Sequence, residues 1–419
     1  MNRYRQIIEQ TNYGLFLLVV ALLPFPQVLL RYACVLWIIA WVLEGRWLTK
    51  PPSLKGNKMA IPFILFGAWY AWKAVSVLWS ADYAAWAWQM ERYLSFGLLV
   101  PAGIWGVNGR YNWRMAGKVL VASCVLALPV YIGYMTALFH HPEWVPTQFL
   151  NNGWTQYTDR WLFFSQNISH IKHRLFLCSV ELFGAIIAFR LYRKRLWLLL
   201  PLWAVMLSFI PLTTSRQAVL SAVALGVVGL IDALPKRHRW RYGVVIAAVG
   251  LVLGATLMRM HPRMQEVQLS DIKEMRELSY NHEIRLNIWG AALQQPQDYL
   301  AYGLGAGQSG NYLNEKYKAV HFDGYVAEQY HAHCQYLEEL MEIGLPGLLL
   351  FLLAWISIPL YAPKEGRPTA ILFTTLFLLN MLTDCIFGKF DGVALWAVGL
   401  LFILLQSNPQ REEQTARDT

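Results

Sequence analysis

The chain has 419 residues, 56% of them apolar and only 15% charged, with 19 tryptophans and a net charge of +10. A soluble domain carries nearer a quarter charged residues, so an ordinary soluble fold is excluded. At about 20 apolar residues per crossing there is room for roughly ten to twelve membrane helices. The basic excess does not read as a nucleic-acid surface, because Lys and Arg fall in short clusters between apolar runs, as orientation signals do.

Apolar runs lie near 13–27, 28–43, 59–79, 86–106, 116–138, 175–191, 196–213, 217–233, 242–258, 343–361, 368–387 and 392–406. Backbone polar groups in lipid must be satisfied within the segment, so each run is predicted to be a helix. The first follows Met1–Gln10 without a small-residue cleavage pattern and reads as a retained helix. Pro24 and Pro26 set a tight turn between the first two. Placing the N-terminus inside puts 21 of the 36 basic residues in short segments on that side, in phase across twelve crossings. That alternation predicts both termini in the cytoplasm. The expected architecture is an all-α integral membrane protein of about 12 transmembrane helices. Helices 1–9 occupy 1–258, an extramembrane loop subdomain with amphipathic helices 259–342, helices 10–12 343–406, and a polar tail 407–419.

Two outer segments are long, 139–174 and 259–342. Loops of that length are functional or disordered, and their Trp, Tyr and His content points to order and function. Cys34, Cys124, Cys178, Cys334 and Cys385 are widely spaced and odd in number, which indicates neither a disulfide framework nor a zinc site.

Three segments concentrate the chemistry. Arg216 ends the turn before the eighth run, where an arginine either snorkels or meets an anion; its planar fork suits phosphate. Arg285, Ile288, Trp289 and Leu293 recur at helical spacing, so Arg285 is expected to open an amphipathic helix. That helix breaks at Pro296 and leads to Gly303, Gly305 and Gly307. This glycine run lacks the Lys-Ser/Thr of a nucleotide loop and reads as a turn bringing backbone close to a neighbour or ligand. His333, Leu337, Leu340 and Gly344 share a helical face, so a helix is expected to run from His333 into the membrane, with His331 on another face. His333 can be a general base, a structural histidine or a metal ligand, although no third and fourth ligand stand at fixed spacing. His170 and His173 border the sixth run as secondary candidates. Lys73, Glu91 and Arg92 are expected to pair across the third and fourth helices, and Asp384, Lys389 and Asp391 to form a structural ion-pair cluster.

Taken in order, these segments resemble the O-antigen ligase and O-antigen polymerase superfamily of bacterial envelope proteins. The resemblance rests on T-x-S-R (Thr213–Arg216), on R-x-x-x-W leading to P-x(n)-G-x-G (Arg285, Trp289, Pro296, Gly303, Gly305) and on H-x(10)-G-L-x-G (His333, Gly344, Leu345, Gly347). The stretch after the third run (79–94) is also similar to the family's. Cys334 departs from it, since the family often has Asn after this histidine. The resemblance implies a bacterial inner-membrane glycosyltransferase working at the periplasmic face, without metal or other cofactor. Its donor would be a glycan on undecaprenyl pyrophosphate and its acceptor a hydroxyl of the lipid A core. His333 would be the base of an inverting transfer and Arg216 and Arg285 the pyrophosphate contacts, with His331, His170, His173 and Gly305 secondary. A polymerase joining lipid-linked repeat units, a protein O-oligosaccharyltransferase and a transporter are the alternatives. Transporter sites gather near the midplane, whereas the polar candidates here gather at one face. Sugar identity and oligomeric state are not legible.

Overall fold

A computed structural model describes residues 2–49, 58–150, 159–260, 284–328 and 331–406. Expectations on 50–57, on 151–158, on the start of the second long segment (261–283) and on the tail after 406 lie outside the described residues. Among the described residues the fold is helical, without strands.

Helix falls within every apolar run. The helices are α1 (Asn2–Leu22), α2 (Gln27–Glu44), α3 (Ala60–Val75), α4 (Tyr83–Trp105), α5 (Trp113–His140), α6 (Thr147–Leu150), α7 (Arg160–Ile171) and α8 (Arg174–Tyr192). They continue with α9 (Leu196–Leu207), α10 (Phe209–Thr213), α11 (Arg216–Ala233), α12 (Arg239–Met260), α13 (Ile284–Ala292), α14 (Ser309–Ala319), α15 (Asp323–Glu328), α16 (Gln335–Tyr361), α17 (Arg367–Asn380) and α18 (Phe390–Leu405). Eight stretches are long and apolar enough to cross a membrane: α2, α3 with its extension to Leu78, α5, α8, α9 with α10, α11, α12 and α16. Helix α18 is apolar but shorter. The chain is therefore a multi-pass membrane protein.

Lipid tails are as apolar as the side chains, so burial of apolar surface cannot by itself hold such helices together; close packing must. The centre supplies it with aromatic rings from five helices and the turn that precedes α18. Phe66 stands edge-on to Trp396 at 4.9 Å, Phe96 to Phe387 at 4.7 Å, and Trp355 stacks on Phe377 at 4.9 Å, the offset and edge-to-face arrangements that ring quadrupoles favour. A separate core lies in the layer formed by 284–328, where Ile288, Tyr299, Leu313, Tyr317 and Tyr325 pack with Met341. Helix α14 turns Leu313 and Tyr317 inward. Helix α13 is buried at Leu286, Asn287, Ile288 and Gly290–Ala292, so it is embedded in this layer on more than one face.

Helix α16 joins the two layers, and Gly344 at φ 65° kinks it. A Cβ there would lie 2.7 Å from the Ala301 carbonyl oxygen, and one on Gly303 (φ 81°) would run into the Glu342 carbonyl. The Gly303–Gly307 turn and the kink thus interlock, sealed by Leu304 and Gly305 N–H groups donating to the Met341 and Glu342 carbonyls at 2.8 and 2.9 Å. Gly303→Ala is expected to cost about 1–3 kcal/mol from its left-handed backbone alone, before the clash. A lowered melting temperature of the detergent-solubilised protein is the readout, and wild-type melting would refute the interlock.

Candidate functional site

The site forms where α16 begins, and it begins later than the side-chain spacing predicts. Cys334 is the extended N-cap residue and Gln335 the first helical one, while His333 sits in the left-handed region at φ 47°. The expected helix through His333 is therefore corrected: Leu337 and Leu340 follow the repeat, but His333 belongs to a turn. That turn also brings the two histidines together, contrary to the expectation that they diverge. Their rings lie 4.0 Å apart with a 32° tilt, and the His333 backbone N–H donates to His331 Nδ1 at 3.1 Å. An accepting Nδ1 leaves the His331 proton on Nε2.

Opposite stands Asp384, four residues past the end of α17. Its two oxygens face His333 Nδ1 and His173 Nε2, each at 3.8 Å. Burial pushes His333 down to about 4, reinforced by His331, Arg285 and Lys389 and opposed by Asp384. Burial and the Lys389 charge take His173 down to about 3. Burial alone would raise the Asp384 carboxyl, but His173 and Lys389 outweigh it and hold it below its ordinary value. The histidines are thus neutral and the aspartate ionised at neutral pH.

The sequence-predicted residues fall into three groups. His331, His333, His173 and Arg285 converge; Arg285 is half-buried as the second residue of α13 and acts electrostatically on both histidines of the turn. Arg216 opens α11, after Thr214 in the left-handed region has broken the chain and Ser215 has capped the new helix, its Oγ accepting from the Ala218 N–H at 3.3 Å. Gln217 donates to the Leu379 carbonyl at 2.7 Å, which sets the N-terminus of α11 against the end of α17 that leads to Asp384. Gly305 is a packing residue: a Cβ there would lie 2.8 Å from the Ser80 side chain, so its close approach is to the α3–α4 connection.

Two expected ion pairs are redrawn. Lys73 does not pair with Glu91 but is buried against Glu339 and Glu342 of α16, at 3.2 and 2.5 Å, while Arg92 stacks over the Trp88 ring at 3.9 Å. Asp391 binds Lys172 at 2.5 Å, leaving Asp384 to the histidines. Spacing along the chain could not reveal either partner, because both are brought in from distant helices.

A cavity of about 770 Å³ opens beside His173, with Arg31, Arg92, His170, Lys172 and Lys389 in its wall against two acids, Glu91 and the Asp391 that pairs with Lys172. A second, of about 680 Å³, shares Gln27, Ser169, His170 and Ile171 with it and is otherwise lined by Phe25, Pro26, Val28, Val130, Tyr131 and Tyr134. One is cationic and the other aromatic and apolar, with His170 between them. Spacing predicted no third metal ligand, yet His331, His333 and Asp384 place one ligand atom each within 4.8 Å of one another, as do His331, Glu338 and Cys385. Either trio has the donor types for a divalent cation.

The fold and this end of it define a multi-pass membrane protein with a paired-histidine, aspartate and arginine site beside a cationic cavity. Residues 201–352, just over a third of the chain, match the family model for O-antigen ligase. The matched stretch runs from α9 to the middle of α16 and contains Arg216, Arg285, His331 and His333, and it supports placing the chain in the O-antigen ligase and polymerase superfamily. Comparison with curated proteins gives no match.

Proposed function

We propose that the protein is an O-antigen ligase, transferring a glycan from undecaprenyl pyrophosphate to a hydroxyl of the lipid A core. The observation that carries the reading is the meeting of His333, His331 and Asp384, within the electrostatic reach of Arg285, next to a cavity whose wall holds more cations than acids. Pyrophosphate needs neutralisation as its charge grows, and fixed cations in a partly dehydrated cavity supply it without reorganisation. Arg285, Arg216, Arg92 and Lys389 take that role, Arg216 with the help of a helix N-terminus, which favours anions. The aromatic cavity across His170 takes the first units of the polyprenyl chain.

In the reaction, the acceptor oxygen attacks the anomeric carbon as the bond from that carbon to the pyrophosphate oxygen breaks. The acceptor proton passes to His333, and the anomeric configuration inverts. Asp384 stabilises the imidazolium that forms. Burial makes His333 a weak base, and the negative donor, bound among the cations that depress it, raises its basicity toward the working range. The fold spans the inner membrane twelve times with both termini cytoplasmic and the site periplasmic. Two contacts between basic segments support a shared side for them: Arg110 meets Glu9 at 3.6 Å, and Arg190 donates to the Glu365 carbonyl at 2.5 Å.

Deleting the gene tests the reading through the lipopolysaccharide profile on a gel. A ligase null leaves bare core, with long glycan stranded on its carrier. Core bearing a single repeat unit would instead identify a polymerase. Transfer by the purified protein that persists after exhaustive chelation supports the histidine mechanism, and loss restored by a divalent cation would replace it with a metal site on His331, His333 and Asp384.

A further inference from the structure

We propose that Glu338 and Trp289 are positioning residues that grip Ala332 from opposite sides and so hold the His331–His333 turn in its working form. The inference rests on the reading of His333 as the base.

A histidine in the left-handed region, followed at once by an extended cysteine, keeps that shape only if its surroundings over-determine it. Ala332, between the two histidines, is fully buried, and both its backbone polar groups are engaged. Its N–H donates to Glu338 Oε2 at 3.0 Å, and its carbonyl accepts from Trp289 Nε1 at 3.0 Å. Glu338 lies in the first turn of α16, where the helix dipole favours a carboxylate. Its other oxygen accepts from Ser309 Oγ at 2.8 Å, which fixes the carboxylate from the extramembrane layer. Downstream, the Gln335 N–H donates to the Met381 carbonyl at 2.9 Å and Gln335 Oε1 accepts from the Phe387 N–H at 2.9 Å. Those bonds tie the same turn to the segment that carries Asp384.

Trp289 adds register. It stands four residues after Arg285 on α13, so the two side chains project from the same face. One short helix therefore sets the guanidinium and the turn bearing the imidazole relative to each other. A shift of α13 moves both together, which keeps leaving-group contact and base in step.

The test compares Glu338→Leu, Glu338→Gln and Trp289→Phe in the full-length enzyme, with Tm, kcat, KM for the lipid-linked donor and side-chain ¹⁵N NMR of the histidines. Misplacement of a base by about 1 Å lowers turnover by up to about a hundredfold. Glu338→Leu is expected to approach that loss in kcat at unchanged KM. Glu338→Gln, which keeps an oxygen for the Ala332 N–H, should recover most of it. Trp289→Phe, which keeps an aromatic ring but no donor, should fall between them. The NMR signature is loss of the single Nε2-protonated form of His331 in the Leu and Phe variants. A merely structural role would lower Tm while leaving kcat per folded molecule and the tautomer unchanged, and that result overturns the proposal. If Glu338→Leu does not fold, Trp289→Phe decides on the same two readouts. Transfer that survives His333→Gln would refute the base assignment, and the tautomer readout would still decide the grip on the turn.

Discussion

Replacing His333 by Gln is expected to lower kcat for glycan transfer by roughly 10²–10⁴, the range supplied by a well-placed general base, while the protein stays folded in the membrane. Glutamine keeps similar size and a polar end but cannot accept the acceptor proton. The site also makes a sharper forecast in pH. The profile of kcat/KM reports the free enzyme and that of kcat the loaded one. With His333 held down at about 4 by burial, the acid limb of kcat/KM should fall near that value, activity being lost as pH drops through it and the base protonates. Pyrophosphate brings negative charge beside the imidazole, which favours its protonated form, so the acid limb of kcat should lie higher. Coincident limbs, or a His333→Gln enzyme with wild-type kcat, would exclude His333 as the base.

Lys73→Met is expected to be the most destabilising single change in the helix bundle, at about 3–5 kcal/mol, the cost of removing one partner from a buried ion pair. Lys73, Glu339 and Glu342 have no exposed surface. The lysine contacts both carboxylates and sits 4.8 Å above the Tyr93 ring. Other partners satisfy the remaining lone pairs: Trp69 and Gln335 donate to Glu339 at 2.8 and 2.7 Å, and the Gly307 N–H donates to Glu342 at 2.9 Å. Without the ammonium, two carboxylates one turn apart are left in a low-dielectric interior. Adding Glu339→Gln and Glu342→Gln to Lys73→Met should restore part of the loss in Tm, since desolvating neutral amides is far cheaper. A Lys73→Met protein that melts with the wild type would show that the pair contributes nothing.

The helices were legible because the hydrocarbon thickness dictates their length and composition, whatever they pack against. The site was legible only where local order carried it. Arg285 and His333 stand in short motifs, and the guanidinium acts electrostatically on the imidazole. Asp384 as the histidines' partner and the Lys73 pairing were not legible, because contacts across about 50 to 270 positions leave no local trace, while the Glu338 bond to the Ala332 N–H, six positions away, depends on a turn that spacing does not show. Periodicity misled at one point for a definite reason: His333 satisfies the i, i+4 spacing to Leu337, but spacing cannot register the left-handed residue that takes it out of the helix. Glycines of the motifs, by contrast, reveal themselves as packing residues once Gly303 and Gly344 are seen to occupy each other's missing side chains.

The kink at Gly344 has a further consequence for the bilayer itself. Above it, Glu338, Glu339 and Glu342 tie the first part of α16 to polar partners, so only Leu345–Tyr361 is free to sit in hydrocarbon. At 1.5 Å per residue that stretch is roughly 26 Å long, a few Å short of the usual ~30 Å core. A mismatch of that sign is met by local thinning of the membrane. The leaflet surface should therefore dip beside α16 and end near Gly344, which leaves the first turns of the helix, and the histidine turn before them, standing clear of the hydrocarbon.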